Sequence, residues 1–189
     1  MNLIFLGLPG SGKGTQAKLL ADKLGLKHIS SGALLRDAAT SSDKKSHTIK
    51  SLMNKGELVP FDTVLDLIID QIKASPRGFI LDGTPRDLAQ AEHMDWFFNQ
   101  EKVNLDAVIF FELSDQESTN RLLSRAQIEG RSDDSPKVIK DRINIYHQET
   151  QPVVTHYQAQ NKLITINASP SIETIHQNVL MAIKNKSLI

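Results

Sequence analysis

Gly7-Leu8-Pro9-Gly10-Ser11-Gly12-Lys13-Gly14-Thr15 sets four glycines around a single lysine, directly after the apolar run Leu3-Ile4-Phe5-Leu6 and before a helical stretch that reaches Leu24. Glycines let a backbone curl until its N–H groups converge, and a helix N-terminus adds a dipole that favours an anion. Lys13 adds a point charge suited to the β- and γ-phosphates of a nucleotide. The stretch therefore reads as strand, phosphate-binding loop and helix, with Gly10, Ser11, Gly12, Lys13, Gly14 and Thr15 as the phosphate contacts. A plain glycine-rich turn is the alternative, and it leaves the agreement of glycines, lysine and flanking elements unexplained. Gly14 stands where such loops usually carry the Ser or Thr that holds magnesium, with Thr15 one place late.

Asp82 is the second residue able to do chemistry, because it ends the apolar run Gly78-Phe79-Ile80-Leu81. A carboxylate at the end of a buried strand, in the same sheet as a phosphate loop, is placed to hold Mg2+; its alternative role is a turn or helix cap. Arg36, Arg86, Arg125, Arg131 and Arg142 form a third group. Any one alone reads as solvated or ion-paired, but all five fall on segments expected at one edge of a sheet. The chain has 22 Lys plus Arg against 22 Asp plus Glu, so no global field draws nucleic acid or an anionic membrane. Anions must be gathered locally, and this many guanidinium groups suit two phosphorylated ligands bound face to face. Gln90 has two readings: its amide matches the hydrogen-bonding edge of adenine, and Asp87 to Gln90 has capping-box spacing.

The elements that must position these groups follow from periodicity. Ala17, Leu20 and Leu24 share a helical face that stops at Gly25, and His28-Ile29 makes a brief strand. From Ser30 to Pro60, a helix opening at Ser31, a polar stretch through Ser42 and Asp43, and a helix ending at Lys55-Gly56 lack a continuous apolar face. This segment reads as a small mobile insertion outside the sheet. Asp62 is read as the N-cap of a long helix carrying Val64, Leu65, Ile68, Ile69 and Ile72. Leu105 to Leu113 reads as a central strand, Ser114 with Glu117 as a capping box, Ser135-Pro136 as a helix start, Leu163 to Ile166 as the last strand and Ile172 to Ile183 as the last helix. Strands this apolar, alternating with helices, predict an α/β fold with a parallel sheet covered on both faces and ligands at the strands' C-terminal ends. His28, His47, His93, His147, His156 and His176 show no ligand spacing and read as structural or solvated, and Trp96-Phe97-Phe98 reads as a core-facing patch.

A chain of 189 residues without repeats or low-complexity linkers fits one domain. The absence of cysteine fits a reducing compartment, and no basic leader or membrane-length apolar run is evident. The expectation is a soluble, cytoplasmic protein.

Gly7 to Gln16, Ser31-Gly32-Ala33-Leu34-Leu35-Arg36, Gly56-Glu57-Leu58-Val59-Pro60, Asp82-Gly83-Thr84-Pro85-Arg86 and Arg131-Ser132-Asp133-Asp134 occur in an order that resembles the adenylate kinases of the nucleoside-monophosphate kinase family, short-lid type. The resemblance runs from Met1 through the last helix. It implies a five-stranded parallel P-loop sheet, a helical segment at 30–59 for the monophosphate, a short lid at 125–135, and reversible phosphoryl transfer from ATP to AMP giving two ADP. It further implies Lys13, Arg86, Arg131 and Arg142 as catalytic groups, and Arg125 and Pro170, within the loop Asn167 to Pro170, beside ATP. Ser31, Arg36, Glu57, Leu58, Val59, Gly83, Thr84, Pro85, Arg86, Gln90, Arg131 and Arg142 would bind AMP. Mg2+ would come with ATP and meet Asp82, while structural zinc is excluded by the lack of a four-ligand cluster. Asp133 and Asp134 would orient the lid. A monomer acting on small nucleotides is expected, without nucleic acid or membrane partners. Ala33 and Thr84 depart from the family's usual aspartate and phenylalanine. A UMP/CMP kinase and a non-catalytic nucleotide-binding regulator are the competing readings.

Overall fold

Leu3, Ile4, Phe5 and Leu6 are all buried because the strand they form, β1 (Leu3–Gly7), is covered on both faces. Successive side chains alternate across a strand, so Leu3 and Phe5 enter one core while Ile4 and Leu6 enter another. A strand with two buried faces must be apolar throughout, which is why this stretch shows no polar alternation. The computed structural model describes residues 1–41, 44–130 and 134–188, with the backbone alone at Lys45 and Glu129.

Five parallel strands lie in the order β2-β3-β1-β4-β5, where β2 is Lys27–Ser30, β3 Phe79–Asp82, β4 Ala107–Glu112 and β5 Leu163–Asn167. The first strand in sequence is thus the middle one in space. Its onward connection leads towards β2, and the connection from β3 crosses to β4 on the other side. Such a reversal opens a crevice at the strands' C-terminal ends, the usual ligand position in open α/β sheets. Register places Phe5 and Ser30 on either side of Asp82, so loop, β2 and β3 meet at that edge.

One face of the sheet is covered by α1 (Lys13–Leu24) and α9 (Ile172–Asn185), through Ala17, Leu20, Ile175, Val179 and Ile183. The other is covered by α4 (Phe61–Lys73), α5 (Leu88–Gln100) and α8 (Gln151–Ala159). In α4, Val64, Ile68 and Ile72 recur every four residues and are buried, each contributing about 1.5–3 kcal/mol. Between these elements run α2 (Ser31–Ala38), α3 (Lys44–Lys55), α6 (Asp115–Glu129) and α7 (Pro136–Ile145), the last continuing through a π-helical turn, Tyr146–Thr150, into α8.

Several expectations hold and four need correction. Ser114 accepts from the Glu117 backbone N–H at 3.3 Å, but the Glu117 carboxylate turns outward to Arg121 at 2.7 Å, so only half of the capping box forms. Asp62 is not the N-cap of α4: Pro60 takes that place, where its missing N–H costs nothing, and Asp62 sits in the first turn facing the positive end of the dipole. The segment after Ser30 does share in the core, since Leu35, Ile49 and Val59 join the same apolar cluster as α4. Phe97 and Phe98 are buried, but Trp96 is 58% exposed, because consecutive helical positions cannot all face inward. Ser42 and Asp43 lie outside the described residues.

Candidate functional site

The loop after β1 reaches α1 through Gly10 and Gly12, whose φ values of 80° and 86° lie in the left-handed region that favours glycine. Gly12 is the N-cap of α1 and no side chain caps it. The first N–H groups of a helix have no intrahelical partner, so an uncapped first turn aims them at the space beyond the loop. Lys13 folds over the loop, donating from Nζ to the Gly7 and Leu8 carbonyls at 2.7 and 2.8 Å and to Ser11 Oγ at 3.3 Å. Its pKa is lowered to about 8, chiefly by burial, with Asp82 opposing and Arg86, Arg142 and Arg125 adding to the decrease. That electrostatic neighbourhood gathers, from four separate segments, groups that the sequence reading assigned to one site.

A cavity of about 1020 Å³ opens at this edge. Gly10, Gly12, Lys13, Gly14 and Thr15 line it from the loop, and Asp82, Gly83, Thr84, Pro85 and Arg86 from the end of β3. Arg36, Leu58, Arg125, Arg142 and Pro170 complete the expected set on this wall. Ser31, Glu57, Val59 and Gln90 line a smaller side chamber that shares Arg36, Thr84, Arg86 and Arg142 with the main cavity. Ser11 is the exception, since it is fully buried behind the loop and its hydroxyl is turned to Lys13. Arg131, Ser132 and Asp133 lie outside the described residues.

Arg86 is held at both ends of its backbone. Its N–H donates to Gln90 Oε1 at 2.9 Å, its carbonyl accepts from Thr150 Oγ1 at 2.6 Å, and its Nε donates to the Gly83 carbonyl at 2.7 Å. The Thr150 contact comes from the π-helical turn, an irregularity that often marks working sites. Arg125 meets Asp134 through two bonds of 2.6 and 2.7 Å, and Arg142 meets the same carboxylate at 2.9 Å. Asp134 is buried, so one carboxylate fixes two guanidinium groups at the cavity wall. Helix α7 also packs on the turn that ends α3. A β-carbon at Gly56 would come within 3.0 Å of Val138 and 3.1 Å of Arg142.

Asp82 faces Gly14 across the loop. A β-carbon at Gly14 would lie 3.3 Å from Asp82 Oδ2, so the glycine leaves open the space beside that oxygen. A hard cation with a shell of waters needs oxygen ligands and room of this kind. His28 Nε2 stands 3.6 Å from the same oxygen and lines the cavity. Among the described residues there is no group of three or more His, Cys, Asp or Glu able to hold a metal ion.

Residues 5–162 match the family model described as adenylate kinase. The adenylate kinase of Synechococcus sp. (strain WH7803) is 40% identical over 174 residues, covering 92% of this chain and 93% of that protein. The adenylate kinase of Stenotrophomonas maltophilia (strain R551-3) is 38% identical and covers 97% and 100%, respectively. Adenylate kinase isoenzyme 1 of Caenorhabditis elegans is 39% identical, covering 90% of this chain and 81% of that protein. The chain belongs to the adenylate kinase family.

Other groups at this adenylate kinase site carried no decisive sequence signal. Arg121 lines the cavity and donates to the Ser169 carbonyl at 3.2 Å, beside Pro170. Gln16 is buried on α1 and donates to the Ile172 carbonyl at 2.8 Å, tying the phosphate loop's helix to the start of α9. Tyr146 and Thr150 also reach the cavity. Only Gln16 and Arg121 had any cue, the first from its place next to the loop and the second from its place one helical turn before Arg125. Gln90 is bonded as the capping reading expects: its backbone N–H donates to Asp87 Oδ1 at 2.8 Å.

Proposed function

We propose residue roles for the activity that family membership carries, reversible transfer of the terminal phosphoryl group of ATP to AMP with two ADP as product. One observation supports these roles above all: Lys13, Arg36, Arg86, Arg125 and Arg142 face one cavity in a chain whose total charge is balanced. Two nucleotides lying phosphate to phosphate bring the negative charge that such a ring of cations would meet. A phosphate oxygen of AMP forms the new bond to the γ-phosphorus of ATP, and the bond from that phosphorus to the β–γ bridging oxygen breaks. Little covalent chemistry is left to the protein, so positioning and electrostatic preorganisation supply the rate.

In this reading the N–H groups at Gly10 to Thr15 cradle the ATP phosphates and Lys13 follows the group in flight. Arg36 and Arg86 hold the AMP phosphate, and Arg142 with Arg131 covers the transferring group. Ser31, Glu57, Leu58, Val59, Gly83, Thr84, Pro85 and Gln90 surround AMP. Arg125 lies along the ATP phosphates, while Arg121 beside Pro170 offers a guanidinium plane for the ATP base. Segment 30–59 serves the acceptor and 125–135 acts as a short lid. Mg2+ bound with ATP would be held through water by Asp82, where it would neutralise phosphate charge; the open space at Gly14 supports that placement. A cytoplasmic monomer completes the proposal, supported by a core and cavity formed within one chain.

The test mixes the protein with ATP, Mg2+ and AMP and follows ADP by chromatography, then repeats the assay with UMP, CMP and GMP. AMP-dependent ADP is expected. ADP that forms only with a pyrimidine monophosphate would favour a UMP/CMP kinase, and none with any acceptor would favour a regulator.

A further inference from the structure

Ser118 lies in the first turn of α6 and is fully buried. Serine and threonine hydroxyls inside helices commonly bond back to the carbonyl one turn earlier, as Thr119 does to Asp115 at 2.8 Å. The Ser118 hydroxyl is turned elsewhere: it donates to the Pro9 carbonyl of the phosphate loop at 2.6 Å, across 109 positions of the chain. A carbonyl only accepts, so the direction of this bond is fixed. The Pro9 oxygen has no other partner among the described residues. The helix presses on the same point of the loop, since a β-carbon at Gly10 would stand 3.0 Å from the Ser118 carbonyl oxygen and 3.0 Å from Leu122 Cγ. Leu8 packs beside them with Leu122, Ile139, Ile143 and Tyr146.

We propose that Ser118 is a positioning residue for ATP: its hydroxyl holds the Pro9–Gly10 peptide so that the Gly10 N–H faces the incoming phosphates. In a planar trans peptide the carbonyl and the N–H point in opposite directions. An oxygen held against α6 therefore sends the N–H the other way, towards the cavity that Pro9 and Gly10 line. That N–H has no partner among the described residues. The backbone by itself leaves this peptide free to turn over, because the rotation is absorbed by ψ of Pro9 and φ of Gly10, and a glycine occupies positive and negative φ alike. Gly10 stands at φ 80°, and the hydroxyl selects that orientation over the reversed one. It also strengthens the donor, since hydrogen bonds linked through one peptide polarise each other. The inference rests on the ATP:AMP reading above and deepens it, by naming a group on α6 that prepares the loop for phosphate.

The experiment needs no turnover. Titration calorimetry measures Kd for Mg2+–ATP and, separately, for AMP, in the native protein and in Ser118→Ala. The variant is expected to bind Mg2+–ATP about three- to tenfold more weakly, the worth of one hydrogen bond, and to keep the native affinity for AMP. In NMR spectra the Gly10 amide proton should move downfield when Mg2+–ATP is added to the native protein, and by a much smaller amount in Ser118→Ala. A merely structural role for Ser118 would lower the melting temperature and either spare both ligands or weaken both together. Native Mg2+–ATP affinity in Ser118→Ala, equal losses for the two ligands, or an unchanged Gly10 response overturns the inference. Should Ser118→Ala not fold, Ser118→Cys, close to serine in size and only a weak donor, is measured in its place against the same outcomes. Failure of the native protein to bind Mg2+–ATP would strike the functional reading instead.

Discussion

Nucleotide binding should take up a proton at Lys13 under mildly alkaline conditions. In the free protein the ammonium has a pKa of about 8, chiefly because burial strips its hydration; Asp82 opposes the decrease, and Arg86, Arg142 and Arg125 add to it. Phosphate oxygens arriving at Nζ favour the charged form and should restore a value near the ordinary 10.5 or above. A change of this size corresponds to about 3 kcal/mol as an upper value, reduced because Lys13 keeps part of its surface in water. The sign follows from the order of the two pKa values. Well below pH 8 both states hold the proton and binding is pH-independent; as pH rises through 8 towards the higher value the free protein loses the proton while the complex keeps it, so affinity falls. The free site is about three-quarters deprotonated at pH 8.5 and about one-tenth at pH 7, which sets the expected uptake per ATP at those pH values. Across pH 7.5 to 9.5 the Kd should rise about 25-fold. Titration calorimetry of Mg2+–ATP binding, in buffers of differing ionisation enthalpy, measures the uptake directly, and the phosphates of that ligand are already fully ionised in this range. Lys13→Arg, whose charge does not titrate, should remove both the uptake and the slope. Uptake below about 0.2 proton at pH 8.5, or the same uptake in Lys13→Arg, would refute the argument.

Arg86→Ala should lower kcat about a thousandfold or more, since it removes a cation proposed to hold the acceptor phosphate that attacks the transferring group, while the melting temperature moves by only a few degrees. An active variant with native kinetics would defeat that assignment. Asp134→Ala removes the buried carboxylate that Arg125 and Arg142 share beside Lys13. Because both guanidinium groups keep some solvent contact, the loss should sit near the low end for a broken buried pair, about 3 kcal/mol, or a melting temperature lower by about 6–12 °C. Thermal denaturation that matches the native protein would show that the carboxylate is not needed to hold them.

The parallel α/β architecture was legible because its signals are local. Strand residues buried on two faces must be apolar, a loop that curls must be glycine-rich, and a helix with one buried face must repeat its apolar residues, as Val64, Ile68 and Ile72 do. The loop's chemistry was equally plain, since Lys13 and its glycines lie within a few residues of one another. Expectations failed where a local pattern had two solutions. Asp62 and Pro60 both suit the start of α4, and the backbone path after Gly56 decides between them. Trp96 looks like Phe97 and Phe98 in composition, but helical rotation turns it outward.

Residue types and spacing alone determined that a glycine-rich loop with one lysine joins a strand to a helix in a parallel sheet, the arrangement suited to phosphate, because each feature depends on neighbours close along the chain. Tertiary structure alone decided that Asp134 joins Arg125 to Arg142, that Thr150 holds the Arg86 carbonyl, and that Gln90 meets Thr84, Arg86 and Asp87 with its amide turned one way. The physical reason is that a hydrogen bond is settled by angstrom-scale placement, and such placement arises only when separate elements pack together.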